Sequence, residues 1–188
     1  MTDQNDAGRQ EGDRQDAGDA PETPRLRDPL DEHRALHGTE STIAIAGHPL
    51  HAMLVAFPIA LAFCVLGADL FYWWTGDPFW ARVAGWAAFG AFVMGLVAGV
   101  TGTVELLIVR GIRNRSASWT HFILAVMLLS VLGANWVLRI DGAEAAVLPF
   151  GLMLSLLAAG LTGVTGWHGG KLVFDYLIGT TASGSDRP

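Results

Sequence analysis

Apolar residues in this chain gather in four long runs separated by short polar breaks, and none of the runs carries the charged outer face of a soluble helix. A helix needs about 20 apolar residues to cross the hydrocarbon core of a bilayer. Runs at about 50–74, 79–109, 119–138 and 145–170 meet that length. The first stops at the turn signal Thr75-Gly76-Asp77-Pro78, the second at the basic stretch 110–115, and the third at Arg139-Ile140-Asp141-Gly142. Connections this short force antiparallel neighbours. The pattern therefore predicts an all-α fold, a four-span transmembrane helix bundle running up-down-up-down within residues 41–188.

Residues 1–40 follow another rule. They hold eleven acids, five arginines and almost no large apolar side chains, so they cannot bury enough surface to offset the entropy of ordering and are predicted to form a disordered acidic tail. The net charge of −6 belongs to this tail, because residues 41–188 hold seven acids and seven bases. An acidic tail is a poor ligand for nucleic acid and is weakly repelled by anionic lipid, so the expected partner, the lipid bilayer, belongs to the four apolar runs. Met1 is followed by polar and acidic residues without a basic or apolar leader, so no signal peptide is expected. The single cysteine, Cys64, allows no internal disulfide and reads as a small apolar core residue.

Orientation follows from the basic residues. Arg110, Arg113 and Arg115 crowd the loop between the second and third runs, whereas the other two loops have one arginine each, Arg82 and Arg139. The positive-inside rule places the arginine-rich loop and both termini in the cytoplasm. Trp73, Trp74, Trp80 and Trp136 then mark one interface, and Trp119 and Trp167 the other.

The two halves share features that predict an internal two-hairpin duplication. Gly99-Val100-Thr101-Gly102 recurs as Gly163-Val164-Thr165-Gly166, and His51 opens the first span as His121 opens the third. Such repeats are related by an axis along the membrane normal.

His48, His51, Glu105, His121 and His168 all fall at the cytoplasmic end of a span. Ionisable groups at membrane depth are costly and point to function. Imidazole suits Zn, Cu, Fe and Ni, so these five are candidate ligands for one transition metal. Haem b is the other cofactor considered, with His51 and His121 as its axial pair. A macrocycle needs small neighbours, and Ala81, Gly85, Ala88, Gly95, Gly99 and Gly102 in span two, with Gly160, Gly163 and Gly166 in span four, are the candidates. Helix packing alone also explains such residues. At the other rim, Asp69 lies eighteen residues after His51 and Arg139 eighteen after His121. Their shared offset makes them a candidate structural ion pair, with Arg82 as the competing cation.

Gly47-His48-Pro49-Leu50-His51, Leu54-Val55 and Phe57-Pro58-Ile59-Ala60-Leu61 resemble the opening of the bacterial membrane family catalogued as domain of unknown function 2231. The stretch Thr75-Gly76-Asp77-Pro78-Phe79-Trp80-Ala81-Arg82, and Gly166-Trp167 with Gly169-Gly170, are also similar to that family, and the resemblance covers about residues 44–180. It implies a four-span bundle in the bacterial inner membrane. Some relatives are joined to Rieske-type redox modules, which points toward a redox partner protein. Two departures stand out: Ala56 replaces a histidine that many relatives carry, and His168 stands where an apolar residue is expected.

Three functions follow. The leading expectation is a haem- or metal-binding bundle in electron transfer. The alternatives are a small transporter or ion/proton relay subunit, and a structural membrane partner without a cofactor, in either case alone or as a homo-oligomer. No HExxH, GxSxG or P-loop motif occurs, so hydrolytic catalysis has little support, and a redox-active bundle would be an electron-transfer subunit.

Overall fold

The computed structural model describes residues 44–45 and 48–175, and the acidic tail of residues 1–40 lies outside them. A two-residue ladder opens the described chain, β1 (Ala44–Ile45) antiparallel to β2 (His48–Pro49). Four helical spans follow: Leu50–Thr75, Pro78–Ile108, Ser116–Val137 and Ala143–Phe174. Each is long and apolar enough to cross a membrane. The shortest has 22 residues, which at 1.5 Å per residue still exceeds the hydrocarbon thickness of about 30 Å. The protein is an all-α, four-span membrane bundle.

Local sequence explains where the spans bend and stop. The first span divides into α1 (Leu50–Leu54) and α2 (Ala56–Thr75) because Pro58 has no N–H to offer the Leu54 carbonyl. Gly76 ends α2 with φ 67°, a left-handed conformation suited to glycine. Asp77 then caps α3 (Pro78–Ile108), its Oδ1 accepting the Phe79 N–H at 2.9 Å, with Pro78 at the first helical position. The basic stretch forms the short α4 (Arg110–Arg113), and α5 (Ser116–Val137) follows. The fourth span starts as α6 (Ala143–Ala146), breaks at Leu148 (φ −115°, ψ 133°) before Pro149, and continues as α7 (Leu152–Phe174).

Neighbouring spans pack in a ring, first on second, second on third, third on fourth and fourth back on first, and the opening turn of the fourth also touches the second. The interior is built from small side chains, which let the backbones approach closely. Near one end Val65, Ala68, Ala84 and Ala88 pack together, and at mid-depth Ala62, Ala91, Leu132 and Ala158 form a second buried layer. Large apolar residues such as Phe63, Trp74, Val100 and Trp167 point outward, as a lipid solvent allows. Cys64 corrects its sequence reading, because its side chain is on the exposed surface and not in the core. Ala62 and Val65 take the inward positions of that turn.

Candidate functional site

Two polar groups are set into this apolar frame, one at each end. At the end where α2 finishes, Arg139 donates through Nη1 to Asp69 Oδ1 at 2.9 Å and through Nη2 to Asp69 Oδ2 at 2.7 Å. Both side chains are sealed, at 1% and 0% exposure. The remaining Arg139 Nε donates to Asn135 Oδ1 at 3.0 Å, one helical turn back on α5. Asn135 Nδ2 donates to Ser155 Oγ at 3.0 Å, and that hydroxyl lies 2.6 Å from Asp69 Oδ2 as its donor. The network therefore joins α2, α5 and α7 with every partner hydrogen-bonded, the condition under which a buried ion pair persists. Gly151 is required beside it, since a Cβ there would meet the Ala146 carbonyl oxygen and lie 2.9 Å from Arg139 Nη2. Arg82, the competing cation, is exposed and takes no part. Asn135, Ser155 and Gly151 are the members that sequence reasoning missed. Asn135 alone had a signal, its four-residue spacing from Arg139.

At the opposite end the half-buried rings of His51 and His121 meet edge to face, with centroids 6.4 Å apart. His51 Nδ1 lies 2.8 Å from the Ala98 carbonyl oxygen of α3, and His121 Nδ1 lies 3.1 Å from the Thr165 carbonyl oxygen of α7. A carbonyl only accepts, so each Nδ1 carries a proton, and Nε2 is the nitrogen left to accept when the ring is neutral. Glycine makes room for both rings. A Cβ on Gly102 would lie 2.7 Å from the His51 ring, and one on Gly169 would lie 3.0 Å from His121. The side-chain oxygens of Ser118 and Thr165, at 4% and 7% residue exposure, are buried without a hydrogen-bond partner among the described residues. Ser118 sits one turn before His121 on α5.

The expected five-ligand layer is corrected here. Among the described residues no three His, Cys, Asp or Glu side chains come together as a group able to hold a metal ion. The reading as a haem- or metal-binding electron-transfer bundle is overturned with it, and the histidine cluster contracts to one pair. His168 bonds through Nδ1 to Val164 of its own helix at 3.0 Å. Glu105 is buried on α3. For His48 the structure describes only the backbone, in β2. The small residues expected to flank a macrocycle serve other ends. Gly95 packs on Leu129, Ala81 and Ala88 lie in the core, and Gly160, Gly163 and Gly166 have no neighbour within 4 Å of an added Cβ. Sharing a depth in the membrane does not give side chains a common direction.

Residues 47–182 match the family described as "Predicted membrane protein (DUF2231)". The chain belongs to that family. Membership covers all four spans and agrees with a bacterial multi-pass membrane protein embedded in lipid. No curated protein and no solved structure matches the chain of this DUF2231 member.

Proposed function

We propose that this DUF2231 protein is a small relay subunit that exchanges protons at one face of the membrane through the His51–His121 pair. The observation that carries the reading is the pair itself. Two imidazoles from different spans are held in ring contact by backbone carbonyls, with an acceptor nitrogen on each and two unpartnered hydroxyls close by. Those hydroxyls depart from the rule of the bundle. Thr75, Thr101, Thr103, Thr120, Ser130 and Thr162 all donate to a carbonyl of their own helix, whereas Ser118 and Thr165 do not. A buried hydroxyl without a protein partner is a natural seat for internal water, and water between imidazoles is a route for protons. Glu105 of α3, His168 and Lys171 of α7, and Arg110 and Arg113 of α4 are further titratable groups near this end.

The relay is one-sided. Ala62, Ala91, Leu132 and Ala158 close the bundle at mid-depth, and the Asp69–Arg139 network closes it beyond. Protons accepted at the pair therefore return to the same face or pass to a partner there. The topology belongs to the same proposal: an up-down-up-down bundle with the arginine-rich loop of residues 110–115 and both termini in the cytoplasm. So does the duplication, which is supported by the like contacts of His51 with Ala98 and Gly102 and of His121 with Thr165 and Gly169. In that pairing Gly102 corresponds to Gly169, three residues beyond its partner in the repeated Gly-Val-Thr-Gly motif.

Vesicles of known sidedness test the reading. Diethyl pyrocarbonate should modify His51 and His121 from the cytoplasmic side alone, and reconstituted protein should pass no more protons across liposomes than lipid does. Modification from the opposite side, or flux abolished by His121→Gln, would replace the one-sided relay with a conduit. The second reading, a structural membrane partner, is favoured by the sealed ion-pair network, and it stands if neither imidazole can be modified or titrated.

A further inference from the structure

Two grooves open on the lipid-facing surface at the Asp69 end of the bundle, of about 610 Å³ and 540 Å³. One is walled by Leu61, Cys64, Phe79 and Val83, the other by Phe89, Trp136 and Ile140 over the bare backbone of Gly85. They share two residues, Arg82 and Trp86. These lie one helical turn apart on α3, so they form a single ridge with a groove on either side. Trp86 stands out from the helix at 75% exposure. Arg82 is exposed and makes no hydrogen bond or ion pair with a described residue.

The position of this ridge decides what it fits. Arg82 comes four residues after Pro78, where α3 enters the membrane, and Trp73, Trp74 and Trp80 mark the interface around it. A guanidinium at that depth meets the level of lipid phosphates and binds them through paired N–H donors. Below it the walls are apolar. Arg139, which borders the second groove, is spent on Asp69 and Asn135, so Arg82 is the cation available to both grooves.

We propose that this surface is a binding site for one two-chain phospholipid, its phosphodiester on Arg82 and its acyl chains in the two grooves on either side of Trp86. The site is independent of the histidine pair, and an occupant would cover a seam between the second span and its neighbours on both sides.

Native mass spectrometry of the full chain in mild detergent tests the site, with dioleoyl phosphatidylglycerol as the probe. The wild type should retain one lipid, and Arg82→Gln should weaken retention about five- to tenfold, the effect of one cation at a lipid surface. Arg82→Lys should recover part of it. Trp86→Ala should also weaken binding, whereas Trp74→Ala, an equally exposed tryptophan outside both grooves, should not. Dioleoylglycerol, which lacks the phosphate, and lysophosphatidylglycerol, which lacks one chain, should both bind more weakly. Equal retention by Arg82→Gln and wild type, or by dioleoylglycerol and phosphatidylglycerol, overturns the phosphate contact. Equal retention of the one-chain lipid, or no loss in Trp86→Ala, overturns the two-groove arrangement. All substituted side chains are exposed, and an unchanged unfolding temperature confirms that binding alone has been altered.

Discussion

Arg139 reaches across seventy positions of sequence to close two parallel hydrogen bonds on Asp69, with both side chains all but sealed inside the bundle. Removing one partner leaves the other charged, buried and unmatched. Asp69→Ala is therefore expected to destabilise the bundle by about 3–5 kcal/mol, read as a large fall in unfolding temperature in detergent. Replacing both residues by apolar ones, Asp69→Leu with Arg139→Met, should recover most of that loss. Arg82→Ala should leave stability unchanged.

The geometry also predicts that exchanging the two charges will fail in part. Asn135 Oδ1 is placed to accept from a guanidinium on α5, and the Ser155 hydroxyl to donate to a carboxylate on α2. Asp69→Arg with Arg139→Asp restores opposite charges but points both neighbours at the wrong partner. Its unfolding temperature should fall between those of Asp69→Arg alone and the wild type. Full restoration would show that Asn135 and Ser155 contribute nothing to the pair.

Ser155→Ala tests the third helix of the network. It removes the donor to Asp69 and the acceptor of Asn135, leaving buried groups unsatisfied, so a loss of about 1–3 kcal/mol is expected in thermal unfolding. Ser130→Ala, at an exposed hydroxyl bonded only to its own helix, should cost far less.

The spans were legible in the sequence because each is a long apolar run ended by residues whose chemistry stops helices, Gly76 and Asp77 above all. Helical arithmetic also brings Asp69 and Arg139 to one end of the bundle. It does not supply Ser155, which shares no spacing with either and enters only through the break at Leu148 and the close approach at Gly151. The histidine layer shows the limit from the other side. Depth in the membrane follows from position along a span, but direction depends on how each helix is rotated in the bundle. His51 and His121 face one another, while His168, three residues after Thr165, bonds along its own helix. The glycines were ambiguous for the same reason, since nothing in the sequence says whether a bare face holds a ring, a leucine or lipid.

Glycine substitutions separate those cases. Gly102→Ala and Gly169→Ala should each displace an imidazole, because the new methyl group would fall 2.7 Å and 3.0 Å from the ring. Gly163→Ala, with open space around it, should be silent. Histidine side-chain chemical shifts report all three. A shift in the Gly163 variant as large as in the other two would contradict the packing described here.

The relay itself is tested most directly by a pH titration of the full chain in nanodiscs with ¹⁵N-labelled histidine. His51 and His121 are in edge-to-face ring contact with centroids 6.4 Å apart, so the account expects a change at one ring to be felt at the other. His121→Gln should then change the titration of His51, and His168→Gln should change it less. The account is contradicted if both rings stay neutral throughout the range in which the protein remains folded, or if His51 titrates identically with and without His121.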